Sequence, residues 1–166
     1  MTDAELTADH ALGGTRHRRG ARILLVDSAD RVLLLHGRDP ARPGHRYWFT
    51  PGGGLLPGES AAAGAARELA EETGLRITPT ELGTAVWQET VEFPFGGRRY
   101  RQEQQFFLLR VPAWQVDTSG FDQLERETID GHRWWPVAEL AVTRQRYYPA
   151  DLPALLHRLL GRAEAC

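Results

Sequence analysis

Between Ser60 and Gly74 the chain changes its periodicity, and that stretch limits the fold more than any other. Spaced at about 100° per residue, Ala62, Ala65, Ala66, Leu69 and Thr73 fall on one arc of a helix running from Ala61 to Thr73. Side chains this small suit close packing on a sheet. Ser60 is placed to cap the helix start, and Gly74 stands where a left-handed residue ends one. Glu68, Glu71 and Glu72 occupy a neighbouring arc at i, i+3 and i+4. Like charges at these spacings repel by about 0.2–0.5 kcal/mol per pair, and the helix C-terminus disfavours anions further. Arg67 and Arg76 offer thin compensation. A solvated acidic face is one reading. A hard dication held by several carboxylates is the other, and it accounts for the cluster better.

Around this helix the pattern is extended. The runs 22–26 and 32–35 flank Asp27-Ser28-Ala29-Asp30 and read as a hairpin. Residues 38–46, rich in Arg, Pro and Gly, read as a loop, and Tyr47-Trp48-Phe49-Thr50 as a short strand entering Pro51-Gly52-Gly53-Gly54. Residues 85–93 and 100–110 form a second hairpin around Gly96-Gly97. A short strand at 133–135, a helical turn at 136–140 and a closing helix capped by Asp151 complete the chain. The expectation is a mixed α/β fold in one domain over 21–166, preceded by a flexible tail over 1–20 with the basic knot Arg16-His17-Arg18-Arg19.

Composition removes several functions. All 20 Lys+Arg positions are arginine, which excludes a P-loop nucleotide site and Schiff-base chemistry. A formal net charge of -2 argues against a general binder of nucleic-acid polymers. No apolar run reaches membrane-spanning length, the first residues lack a signal-peptide pattern, and the one cysteine is Cys166, so a cytoplasmic protein away from the membrane is expected. The scattered histidines show no zinc spacing.

The stretch from Gly53 to Leu75 resembles the Nudix box, Gx5Ex7REUxEExGU, at every fixed position: Gly53, Glu59, Arg67, Glu68, Leu69, Glu71, Glu72, Gly74 and Leu75. The resemblance implies an α/β/α sandwich with a mixed β-sheet and a metal-dependent pyrophosphohydrolase. Its expected substrates are nucleoside diphosphates linked to another moiety: an NTP or dNTP, an ADP-ribose-like compound, a dinucleoside polyphosphate or a nucleotide sugar. By the same resemblance Glu68, Glu71, Glu72 and the Gly52 carbonyl are the ligands of Mg²⁺ or Mn²⁺. Glu68 is also a candidate general base, and Arg67 and Glu59 form the pair that orients the helix. Relatives of this kind are often homodimers. A non-catalytic nucleotide sensor on the same fold is the alternative. An isomerase of the isopentenyl diphosphate type would want an internal cysteine, which Cys166 does not supply.

Some relatives bring a further glutamate from outside the box as base or ligand. Glu103, sharing a strand face with Gln105 and Phe107, is the first choice; Glu89 and, on an expected loop, Glu125 and Glu127 stand behind it. Arg38, Arg42 and Arg46 precede the glycine loop, and Arg38 and Arg46 are the candidates for gripping phosphate. Trp48, Trp87, Phe93, Trp134 and Trp135 could stack on a base, although core packing explains most of them. Leu56 stands where many relatives carry an acid, and neither Pro94 nor Phe93 fits the marks of a particular substrate.

Overall fold

Strand β1 (Arg16–Val26) is the axis of the sheet, and what happens along its two edges determines the rest. The computed structural model describes residues 14–163. Along one edge β1 pairs in parallel with β6 (Arg98–Arg110) from Arg16↔Tyr100 to Val26↔Arg110. Along the other it meets β2 (Arg31–Asp39) only near the hairpin turn, at Val26↔Val32. The two strands then part. β4 (Gly52–Gly54) takes the place beside β1, and β3 (Arg42–Phe49) the place beside β2. The chain crosses this fork through Thr50-Pro51, pinned where the Ile23 N–H donates to the Pro51 carbonyl at 2.9 Å.

The remaining strands extend the sheet. β5 (Trp87–Phe95) forms the outer hairpin with β6, β7 (Ile129–Pro136) pairs with β2, and β8 (Tyr147–Tyr148) with β3. Alternation along β1 divides two cores. Ala21, Ile23 and Leu25 face helix α1 (Ala61–Thr73) and its Ala61, Ala65, Ala66 and Leu69. Leu24 and Val26 face Leu152, Leu155, Leu156 and Leu160 of the last helix, which lies beyond two short ones, α2 (Gln123–Thr128) and α3 (Val137–Leu140); that last helix is α4 (Leu152–Ala163). Each fully buried leucine contributes about 1.5–3 kcal/mol. Helices on both faces of a mixed sheet give the expected sandwich. No described helix is long and apolar enough to cross a membrane.

Helix α1 begins and ends where the sequence places it. The Ser60 hydroxyl accepts from the Ala63 N–H at 3.1 Å, and Gly74, at φ 75°, donates to the Ala70 carbonyl. Three expectations need correction. The basic knot at Arg16 is not a tail, because its backbone is held in register against β6; residues 1–13 of that tail lie outside the described residues. The loop over 38–46 shrinks to a turn. Buried Asp39 accepts from the Ala41 N–H, the Arg42 Nε and the Gly96 N–H at 2.9–3.0 Å, and so organises strand ends on both sides. Glu125 and Glu127, placed on a loop, ride on α2, which Asp122 and Glu125 cap reciprocally.

Burial alone would raise the Asp39 pKa, but its three hydrogen bonds outweigh that and hold it below the usual aspartate value. An acid of this kind stabilises the fold above its unfolded pKa and loses that contribution as pH falls through its folded one. Asp39→Asn is therefore expected to lose about 1.5–3 kcal/mol at neutral pH, with the deficit shrinking in acid below 3.8. Urea denaturation at both pH values reads this out. A deficit independent of pH would refute it.

Candidate functional site

Three carboxylates meet at the fork. Glu68 and Glu72 reach it from one face of α1 and Glu125 from α2, and one oxygen of each lies within 4.8 Å of the others. Glu72 is 2 % exposed, and its Oε2 accepts from the Gly52 N–H at 2.7 Å. The Glu68 Oε1 accepts from Arg67 at 3.1 Å, and the Glu125 Oε2 from the Asp122 N–H at 2.8 Å. The second oxygen of each acid makes no hydrogen bond among the described residues. Burial is the main reason all three hold protons more tightly than ordinary glutamates, and mutual repulsion adds to it. Two buried acids and a half-buried one, each with an oxygen that no described residue bonds, fit the donor set of a hard divalent ion.

The glycines make this approach possible. Gly52 has φ +135°, and a Cβ there would stand 2.1 Å from the Ala21 carbonyl oxygen. At Gly53 a Cβ would meet the Glu68 Oε1 at 2.7 Å. Below them, Arg67 locks the loop to the helix. Its Nε and Nη2 donate to the two oxygens of Glu59 at 2.8 and 3.0 Å, and its Nη2 also reaches the Gly54 carbonyl. That fork holds the Glu59 carboxyl below its usual range and raises the pKa of Arg67.

Other expected residues stand elsewhere. Glu71 has a side chain 46 % exposed and approaches Arg67 at 3.6 Å, outside the converging trio. Glu103 is exposed on β6 between Arg19 of β1 and Thr90 of β5. Arg38 donates to the Glu127 carbonyl, and Arg46 to Asp130, which also meets His36. The Gly52 carbonyl is held by Arg22 at 3.0 Å.

Sequence reasoning placed Glu125 behind Glu103, and the structure brings Glu125, not Glu103, to Glu68 and Glu72. The same reasoning misplaced Arg18 in the tail and assigned no role to Arg22, Gln102 or Gln104. Arginines at alternate positions of β1, Arg16, Arg18 and Arg22 on one face, were the available signal for the first pair. Arg18 lies over the rings of Phe93 and Tyr100 and bonds Gln102. Gln102 donates to Gln104, and Gln104 donates to Glu89 at 2.6 Å.

Glu125 is held in place by the chain that precedes it. Trp114 Nε1 and the Asp117 N–H both donate to the Thr73 carbonyl at the end of α1, at 2.8 and 3.0 Å. Gly120 lies so close that a Cβ there would stand 2.6 Å from the Glu71 carbonyl oxygen.

A family model described as the NUDIX domain matches residues 16–157. A curated relative, an RNA pyrophosphohydrolase of Legionella pneumophila strain Corby, is 48% identical over 127 residues, covering 71% of this chain and 69% of that protein. Another RNA pyrophosphohydrolase, from Erythrobacter litoralis, is 31% identical over 127 residues, covering 67% and 70%. Among solved structures, a C. elegans Ap4A hydrolase binary complex superposes with a TM-score of 0.56 at 19% identity, covering 90% of this chain and 99% of that one. A bifunctional NMN adenylyltransferase/ADP ribose pyrophosphatase from Francisella tularensis, complexed with AMP and a Mn ion, gives 0.61 at 18% identity, covering 96% of this chain and 46% of that one.

Gly120→Ala should push the segment before α2 off the end of α1, at a cost of about 1–3 kcal/mol. Mn²⁺ affinity, followed by electron paramagnetic resonance, should fall with it as Glu125 withdraws. Wild-type Mn²⁺ affinity in this variant would show that the segment does not position Glu125.

Proposed function

The chain belongs to the NUDIX domain family, and from that membership we propose a divalent-metal-dependent pyrophosphohydrolase whose ion is held by Glu68, Glu72 and Glu125. One observation carries the residue assignment: three carboxylates from two helices converge within 4.8 Å, each with an oxygen free of hydrogen bonds. Glu125 takes the place first given to Glu71, which remains at the outer edge for a second ion. Mg²⁺ or Mn²⁺ suits a set made wholly of oxygen donors. When bound, the cation neutralises phosphate charge and acidifies water.

The chain's own groups do the rest. Glu72, fixed by the Gly52 amide, and Glu68, fixed by Arg67, present their free oxygens in one direction. The Glu59–Arg67 fork keeps helix and loop in register, so the donors are arranged before substrate arrives. Glu125, on an element of its own, brings the third oxygen donor to the same point. Products are two phosphate compounds, cleaved at a phosphoanhydride.

The substrate class is a nucleoside diphosphate linked to a second group. The curated relatives are named RNA pyrophosphohydrolases, so RNA joins the substrates to be tested at the one place a transcript carries phosphoanhydrides, its 5′-triphosphate, although the sequence alone argued against polymers. The test is a Mg²⁺-dependent phosphate-release screen over dNTPs, ADP-ribose, NADH, dinucleoside polyphosphates, nucleotide sugars and a 5′-triphosphorylated oligoribonucleotide. Glu72→Gln and Glu125→Gln should each cut turnover of the best substrate about a hundredfold or more. Glu72→Gln should also melt no lower than wild type without metal, since it removes a buried charge. Wild-type turnover in either variant would refute that ligand assignment, and no release from any compound would refute the activity.

A further inference from the structure

Arg22 is a partly buried cation with no bonded anion among the described residues. It projects from β1 into the fork, where its Nη1 donates to the Thr50 and Gly52 carbonyls at 3.2 and 3.0 Å and its Nε to the Gln104 Oε1 at 3.3 Å. All three acceptors are neutral oxygens, and the Nη2 makes no hydrogen bond among the described residues. Desolvation holds the guanidinium below its usual pKa, and the through-space fields of Glu72, Glu68, Tyr47 and Glu89 oppose it, the two fork acids first. The contribution of those two is offset once they share their charge with a dication. A partly buried guanidinium whose foremost counter-charges are offset favours an anion beside it, so an anion should arrive together with the metal.

The geometry says where. Glu72 holds the amide of Gly52 and Arg22 holds its carbonyl, so the acid cluster and the cation bracket a single residue. On the far side, Gln104 is oriented by Glu89 and Gln102, which fixes the Nε edge of Arg22 and leaves the Nη2 free. We infer that Arg22 is a substrate-contacting residue whose free Nη2 takes a non-bridging oxygen of the diphosphate. Its role rests on the pyrophosphohydrolase reading and adds to it the group that holds the phosphate not neutralised by the cation. A planar fork is needed here, because two of its nitrogens are already committed to protein oxygens.

The probe is adenosine 5′-(α,β-methylene)diphosphate, which presents the diphosphate and resists hydrolysis. Titrated calorimetrically with Mg²⁺, Arg22→Gln should bind it about tenfold or more weakly than wild type. Arg22→Lys, which keeps the charge without the fork and is the gentler change for folding, should fall between. Mn²⁺ binding without nucleotide, followed by electron paramagnetic resonance, should weaken by much less than the analogue's affinity in both variants. Three results would overturn the assignment: equal affinity for the analogue in wild type and Arg22→Gln; Mn²⁺ affinity falling in proportion, which would make Arg22 a brace for the Gly52 loop; or no binding of the analogue by wild type. Hydrolysis by wild type is scored separately in the release screen, so the activity stands if only this contact fails.

Discussion

The rest of the site depends on how closely backbone approaches backbone at Gly52. Its amide is fixed by a buried carboxylate, its carbonyl by a half-buried guanidinium, and a side chain there would collide with the Ala21 carbonyl. One residue without a Cβ thus lets β4 lie against β1 while the end of α1 delivers Glu72 to the same point. Any wider spacing would separate the acids from the strand edge. The positive φ costs glycine little and would strain any other residue.

The fold is arranged to create that opening. Parallel pairing with β6 anchors the whole of β1, so the strand can release β2 after one pair and accept β4 instead. The small side chains of α1 let the helix settle close to this divided edge, since Ala65 and Leu69 are fully buried against Ala21 and Ile23. The electrostatic strain follows directly. Glu68 and Glu72 are held in a place that burial and mutual repulsion make unfavourable for charge, and packing on the opposite side of the helix keeps them there. Stability is given up locally so that oxygen donors face one another in advance.

What could be read from the sequence was whatever neighbouring residues decide among themselves. Ser60, Gly74 and the apolar spacing between them specify α1 to the residue, and the turns at Asp27–Asp30 and Gly96-Gly97 specify two hairpins. What escaped depended on distant partners. The knot at Arg16 is polar by composition, and only the edge of β6 makes it a strand. Residues 38–46 look like loop until the buried Asp39 gathers their backbone and the tip of the other hairpin. Glu125 reaches the acids because the segment before α2 docks on the end of α1. The Asp122…Glu125 capping pair sets a helix start and carries no address in space.

That docking segment ties two equilibria together. Trp114 and Asp117 grip the last turn of α1, and the chain they anchor supplies the third oxygen donor. By thermodynamic reciprocity, whatever an ion held there would gain from a settled segment, the segment would gain in order from the ion. A short stretch of chain gripping a helix end would then act as an adjustable clasp on the acid cluster it helps to close.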